Sequence, residues 1–380
     1  MSVAKPYFTT KTAVGSTFCN REKEREQLKL NIQKCGHTVV VAPRRFGKTS
    51  LVYQSLEELG VECTKIDLFC TVYATTVAEK ITKGVSELVK QLVPFSTKAM
   101  KFIESCFKHT NLVLKAGKLE LQVNFSKIQA NPIEQIVDVL TGLEKIAKYQ
   151  KKRVVVFIDE FQDMLKADQS DEIQAAIRNV AQHAQYISFV FSGSSRNMLR
   201  QIFEDRNQPL YMLCQKIHLK KIEAKDFESH LQKLAKKHWK QLLESSVIDR
   251  ILELSECHPY YLNVLCDKLW DKAVPPMLRQ VNESWELCLN DQKDKLIADL
   301  EPLNAIRIKV LTTIALHNGV EAPNGKNFIE ATGLSLGTVQ KALHFLSGHD
   351  FIFQEDNSRK INLVDPLLKK FILWNANHTD

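Results

Sequence analysis

The sequence predicts an α/β fold, a parallel sheet flanked by helices, followed by a helical domain and a winged helix. Three observations carry this reading. Residues 38–41, Thr-Val-Val-Val, form a β-branched run. It leads through Ala42-Pro43-Arg44-Arg45-Phe46-Gly47-Lys48-Thr49-Ser50 into a helical pattern with Leu51, Val52, Leu56 and Leu59 on one side. Residues 154–158, Val-Val-Val-Phe-Ile, are a continuous apolar run, as in a strand buried on both faces of a parallel sheet. Helical periodicity then fills residues 224–300, and helix, tight turn, helix and two short strands follow it.

Strand, loop and helix in that order is the context of a phosphate-binding loop. Gly47 lets the backbone turn and approach a phosphate. The N–H groups of 45–49 point at the anion, and the helix N-terminus adds partial positive charge. In such a loop Lys48 neutralises the β- and γ-phosphates and the Thr49 hydroxyl ligates Mg2+. The first glycine of the G-x-x-x-x-G-K-[ST] pattern is replaced by Ala42. Alanine tolerates positive φ poorly, so a slightly altered loop is expected.

The apolar run 154–158 ends in Asp159 and Glu160, at the strand edge where ligands of open α/β sheets sit. Asp159 is expected to hold Mg2+, mostly through water, and Glu160 to orient or deprotonate an attacking water. Gln162 and Asp163 are expected at a solvated helix start. A further strand, 186–191, ends in Ser192-Gly193-Ser194-Ser195-Arg196. Beside the P-loop strand, its tip would offer Ser192 or Ser194 as hydrogen-bond donors and Arg196 as positive charge.

The other elements follow from spacing and capping. Residues 1–17 read as an arm. Asn20 is a candidate N-cap for a helix over 22–34, and residues 62–68 read as a strand. Helices are expected over 75–93 and 98–108, then a hairpin of 112–115 and 119–125 about Ala116-Gly117-Lys118. Asn131 caps a long helix with Pro132 at its first position. Helix 170–184 and a last strand at 217–219 complete the sheet region. Trp239, Trp270 and Trp285 are expected core anchors of 224–300, which Cys257-His258-Pro259 interrupts. Helices over 303–317 and 335–347, a hairpin about Asp356-Asn357-Ser358, and a helix opened by Asp365-Pro366 make the winged helix.

Composition sets limits on function. At 380 residues two or three domains are expected. No apolar run is long enough to span a bilayer, the N-terminus has no signal-peptide core, and nine scattered cysteines suit reduced thiols in the cytoplasm. The net charge of +8 is uneven. Residues 1–219 hold 31 Lys+Arg against 22 Asp+Glu, residues 220–300 hold 13 against 14, and residues 301–380 hold 8 against 8. A basic surface therefore belongs to the first half.

Six markers together resemble the archaeal-type ATPase family in the STAND branch of the AAA+ ATPases, over roughly residues 15–375. They are Phe18-Cys19-Asn20-Arg21-Glu22, Pro43-Arg44-Arg45-Phe46-Gly47-Lys48-Thr49, Ile158-Asp159-Glu160, Ser192-Gly193-Ser194-Ser195, His258-Pro259-Tyr260-Tyr261 and Val364-Asp365-Pro366-Leu367-Leu368. The resemblance implies an ATPase core over 18–220, a helical lid over 221–300 and a winged helix over 301–380. It implies Asn20 and Arg21 near the adenine, Pro259 on the base, and Arg196 as a sensor arginine. Asp365 looks like the aspartate by which the winged helix closes on nucleotide in related proteins. Val364 stands where those have histidine, and Cys257 where relatives often have glycine. The reading implied is a cytoplasmic ATP-binding switch with slow Mg2+-dependent hydrolysis, binding ATP or ADP, with a protein partner or self-association and no membrane. The alternatives are a DNA-binding ATPase, using the winged helix or a basic surface of the core, and a nucleotide-bound scaffold without hydrolysis. Helix 335–347 carries Lys341 as its only Lys or Arg, which equips it poorly for DNA.

Overall fold

The computed structural model describes residues 6–93, 97–107, 110–115, 118–123, 131–354 and 359–376. The chain forms two compact units, one of residues 22–42 and 48–219, the other of residues 1–21, 43–47 and 220–380.

The first unit is built on α1 (Glu22–Gln33), β1 (Thr38–Val41), α2 (Lys48–Leu59), β2 (Glu62–Asp67), α3 (Ala74–Leu92), α4 (Thr97–Cys106), β3 (Thr110–Lys115), β4 (Lys118–Val123), α5 (Pro132–Gln150), β5 (Val154–Asp159), α6 (Ser170–His183), β6 (Ile187–Gly193), α7 (Arg196–Glu204) and β7 (Gln215–His218). Five strands form one sheet in the order β2–β5–β6–β1–β7, every neighbour parallel. The apolar runs explain the order. All residues of β1, β5 and β6 are buried, whereas β2 and β7, at the edges, alternate or expose most of their residues. The P-loop strand β1 lies beside β6, with Val40 opposite Ser192, as the sequence implies. Because the strands are parallel, their C-terminal ends share one edge, and Asp67, Asp159 and Gly193 stand on it.

Helices α3 and α5 cover one face, with Val77, Ile81, Val85, Val139 and Leu143 in its core. Gly84 lets α3 lie close on β2, since a Cβ there would come within 2.8 Å of the Ile66 side chain. Asn131 caps α5 as expected, its Oδ1 accepting from the Ile133 N–H at 3.0 Å. The expected hairpin is present as β3–β4, antiparallel, with Leu114 opposite Leu119. Lys118 belongs to the strand rather than the turn, because it pairs with Lys115. Residues 116–117 and 124–125 lie outside the described residues. The expected Asn20 cap is corrected. Helix α1 starts at Glu22, so Arg21 flanks it, and Asn20 and Arg21 both take left-handed backbone, with φ of 51° and 67°.

The second unit holds α8 (Ala224–Trp239), α9 (Ser245–Ser255), α10 (Pro259–Trp270), α11 (Leu278–Leu300), α12 (Ala305–Leu316), α13 (Lys326–Thr332), α14 (Leu336–Gly348), β8 (Ile352–Gln354), β9 (Ile361–Leu363) and α15 (Pro366–Ala376). Trp270 and Trp285 are buried in its core, while Trp239 is partly buried at the margin. The turn before α10 is left-handed at Glu256 and Cys257, with φ of 48° and 53°, so Cys257 adopts the backbone that glycine would supply without strain. Pro259 then takes the first helical position, and His258 Nδ1 accepts from the Tyr260 N–H at 3.2 Å. Burial holds the His258 imidazole well below its ordinary pKa, which keeps it neutral and able to accept. Three helices, α12 to α14, precede the antiparallel β8–β9 hairpin; α12 and α14 match the two expected helices, α13 is additional, and Gly333 takes the left-handed turn between α13 and α14. The expected wing tip, 356–358, lies outside the described residues.

Candidate nucleotide site

Residues of α2, β2, β5 and β6 meet at the C-terminal edge of the sheet. Lys48 is buried and its Nζ donates to the Ala42 carbonyl at 3.0 Å, folding the ammonium back along the loop. Positive φ in the loop falls at Arg45 (64°) and Gly47 (88°), not at Ala42. The expected disturbance from alanine therefore has no backbone basis, since Ala42 is never asked for the conformation it resists.

Asp159 is the centre of a hydrogen-bond cluster. Its Oδ2 accepts from Thr49 Oγ1 at 3.2 Å, and its Oδ1 accepts from Ser192 Oγ and from the Glu160 N–H at 3.2 Å. Glu160 follows in left-handed backbone, φ 51°, and its Oε2 accepts from Ser194 Oγ at 3.3 Å and from Gln162 Nε2. Gln162 and Asp163 are buried, which corrects the expected solvated position. Asp163 Oδ2 accepts from the Cys70 N–H at 2.8 Å, and Gln162 grips the Glu160 carboxylate. Both belong to a short 3-10 turn, Phe161–Lys166, whose Phe161 anchors it in the core. Gly193 makes room for Gln162, because a Cβ there would fall 1.9 Å from its Oε1.

One residue of the cluster escaped the sequence reading. Lys65, on the exposed side of β2, places its Nζ 2.7 Å from Asp159 Oδ2. Burial works against the Asp159 anion, but the bonds from Lys65 and Ser192, with Lys48 nearby, outweigh it and hold the carboxyl below its ordinary pKa. Partial burial likewise works against the Lys65 ammonium, and Asp159 outweighs it and raises the pKa. The two shifts are opposite in direction and each favours the charged form, as they must for an ion pair. No sequence motif flags this lysine. It reaches Asp159 because β2 and β5 pair in register, Asp67 opposite Asp159.

The donor set suits Mg2+. Thr49 and Asp159 present oxygens side by side, and Mg2+ binds through one or two protein oxygens, water and substrate phosphate rather than a full protein cage. Among the described residues no group of three or more His, Cys, Asp or Glu side chains could hold a metal alone. Arg196 opens α7, half-buried, two residues beyond Ser194.

Within the second unit, the loop residues 43–47 are fixed by their side chains. Phe46 is buried, its ring edge-on to His258 at 4.7 Å and to Phe353 at 5.8 Å. Arg45 Nη1 donates to Tyr261 Oη at 2.8 Å, and its guanidinium lies over the Tyr260 ring at 4.4 Å. Arg21 Nη2 donates to the Phe46 carbonyl at 3.3 Å, joining two of the expected site residues. Pro43 is buried, Arg44 is exposed, and Ser50 lies half-buried in the first turn of α2. The sequence reading assigned Arg45 and Phe46 to nucleotide; in the structure their side chains contact Tyr260, Tyr261 and His258.

A five-stranded parallel sheet with a Gly-Lys-Thr turn at one strand end and an acidic pair at another defines a P-loop ATPase of the AAA+-like class. The chain belongs to the family described as the ATPase domain predominantly from Archaea, whose model matches residues 18–265. Among solved structures, the Walker-type ATPase PABY2304 of Pyrococcus abyssi is similar over 98% of this chain and 99% of its own, with a TM-score of 0.69 at 19% identity. The Aeropyrum pernix ORC2 protein, in ADPNP–ADP complexes, is similar over 97% and 98%, with a TM-score of 0.55 at 13% identity. These likenesses concern the fold. No curated protein matches the chain. No helix among the described residues is long and apolar enough to cross a membrane.

Proposed function

We propose that the chain is a cytoplasmic, Mg2+-dependent ATP-hydrolysing switch of the AAA+/STAND type. The cluster of Thr49, Asp159, Glu160, Ser192 and Ser194 beside buried Lys48 supports this reading more than any other observation. The loop backbone from Pro43 to Ser50 and Lys48 hold the phosphates of ATP or ADP, and Thr49 with Asp159 holds Mg2+, which screens phosphate charge when bound. Glu160, steadied by Gln162 and Ser194, positions the attacking water. Arg196 and Ser194 sense the γ-phosphate; Asn20, Arg21 and Pro259 receive the adenine. The nucleotide state then sets the packing of the helical lid (221–300) and winged helix (301–380), and so the exposure of a surface for a protein partner or a second copy.

Phosphate release and binding of a fluorescent ATP analogue test the assignment together. Lys48→Ala should abolish binding, because phosphate charge would stay unpaired in the loop. Glu160→Gln should keep binding and lose turnover, because an amide takes no proton from water. Unchanged affinity in the first variant, or surviving turnover in the second, removes the corresponding residue from its role.

A further inference from the structure

The nucleotide cluster uses none of the strongest positive charge on the first unit. Residues 145–153, Lys-Ile-Ala-Lys-Tyr-Gln-Lys-Lys-Arg, hold five cations and no acid. They form the last turns of α5 and the link into β5. Lys145, Lys148, Lys151, Lys152 and Arg153 are all exposed, while Ile146 and Ala147 between them are buried. The run is therefore an exposed strip, with the Lys145 ammonium also donating to the Cys106 carbonyl at 3.4 Å. Cations near a helix C-terminus complement its dipole, but that effect acts within the last turn, and this run continues past the helix.

Two arrangements extend the patch. Arg153 lies near enough for its charge to act on the Cys35 thiol, whose Sγ donates to the Gln185 carbonyl at 2.7 Å, next to exposed Lys34 in the turn after α1. Tyr149 is 64% exposed in the middle of the run, and one side of its ring rests on Phe102, centroids 4.1 Å apart. The nearest acid in sequence, Glu144, is occupied: its carboxylate accepts from the N–H groups of Gln185, Tyr186 and Ile187 at 2.8–3.2 Å. Glu62, opposite Val154 at the start of β2, is an exposed acid at the same edge.

Position excludes ATP as the ligand of this patch. Arg153 precedes the first residue of β5 and Glu160 follows the last. Six strand residues at about 3.3 Å each put roughly 20 Å between them. We propose that this edge, the N-terminal end of the strands, is a binding surface for single-stranded nucleic acid. The lysines and Arg153 engage the phosphates, and a base stacks on the open face of Tyr149. Lysines on one exposed strip suit a repeating phosphate chain, and a propped aromatic ring among them suits unpaired bases, which duplex DNA does not offer.

The test is fluorescence anisotropy of a labelled 20-nucleotide oligothymidylate against the full chain, with a salt series. Lys148→Glu combined with Lys152→Glu should weaken binding at least tenfold and flatten the salt dependence by about 1.4 log–log units, from roughly 0.7 per phosphate contact. Tyr149→Ala should weaken it about tenfold with the salt slope unchanged. Circular dichroism and thermal melting confirm that the variants fold. Unaltered binding in the charge-reversed variant overturns the proposal. So does equal or tighter binding of a duplex of the same length, or of phosphatidylserine vesicles, or no binding by the wild-type chain at micromolar concentration. Failure of the Lys48→Ala test would overturn the nucleotide assignment and leave this result standing.

Discussion

Removing Lys65 tests the charge balance of the proposed metal site. Its ammonium lies 2.7 Å from Asp159 Oδ2, the oxygen that also faces Thr49, so a cation of the protein occupies the place where a bound metal would draw on that carboxylate. At this distance two unit charges interact by about 1.5 kcal/mol in water and about 6 kcal/mol at an effective dielectric of 20. The Lys65 side chain is 30% exposed and Asp159 8%, which places the pair between these limits and close to the lower one. A charge-assisted bond of about 1.5–3 kcal/mol is the reasonable figure. Metal binding must first give up that bond, and each 1.4 kcal/mol is about a factor of ten. Lys65→Met should therefore tighten Mg2+ about tenfold in the presence of a non-hydrolysable ATP analogue, read by calorimetry or by Mn2+ paramagnetic resonance. Without metal the same variant should melt at lower temperature, because a buried carboxylate loses its main counter-charge. Mg2+ affinity unchanged or weakened would show that Lys65 supports the metal-binding geometry rather than competing with it.

Three further outcomes follow from particular contacts. Gly193→Ala should push Gln162 off the Glu160 carboxylate, since the new Cβ falls 1.9 Å from Gln162 Oε1; phosphate release should drop at least tenfold while affinity for an ATP analogue stays within a few-fold. In the proposed sensor role, Arg196→Ala should weaken ATP about tenfold more than ADP by calorimetry, because a guanidinium contact with the γ-phosphate, of about 1.5–3 kcal/mol, would have no counterpart in ADP; equal losses would leave Arg196 as a helix-start residue. Thermal stability should fall as pH drops from 6.5 toward 4. Burial holds His230 down at about 4, so the unfolded chain binds its proton first and gains up to about 3 kcal/mol over that interval. A melting temperature flat between pH 7 and 4.5 would contradict this.

The sheet was legible because its strands are buried on both faces and so write themselves as unbroken apolar runs. Thr38 to Val41 and Val154 to Ile158 needed no partner to be recognised, and their ends located Lys48 and Asp159. Asn131-Pro132 announced α5 through the chemistry of its cap alone. Contacts set by register were not legible. Lys65 reads as an ordinary outward residue of an alternating edge strand until β2 is laid on β5. Gln162 reads as solvated because a polar pair, Gln162-Asp163, just beyond a strand end suggests an exposed helix start. Its burial comes from Phe161 sinking into the core and drawing the short turn with it. Asn20 fits a cap by residue type, but left-handed backbone at both Asn20 and Arg21 starts the helix one residue later than a cap there requires.

The same distinction applies to Asp365. The resemblance gives it a closing role with a histidine before it, yet Val364 is buried and apolar. In the structure Asp365 Oδ1 accepts from the Leu367 and Leu368 N–H groups at 2.9 and 3.0 Å, starting α15, and Oδ2 accepts from the Tyr261 hydroxyl. Tyr261 accepts in turn from Arg45. Burial and the adjoining carboxylate push the Tyr261 phenol above its ordinary pKa, so it stays protonated and can donate to Asp365. Burial likewise raises the Asp365 carboxyl, against the pull of Tyr261 and Leu368. The chain Arg45–Tyr261–Asp365 thus runs from the phosphate-loop sequence to the start of the last helix without a histidine. It needs the tyrosine of His258-Pro259-Tyr260-Tyr261, which is why that marker and the aspartate belong to one physical unit although 104 residues separate them.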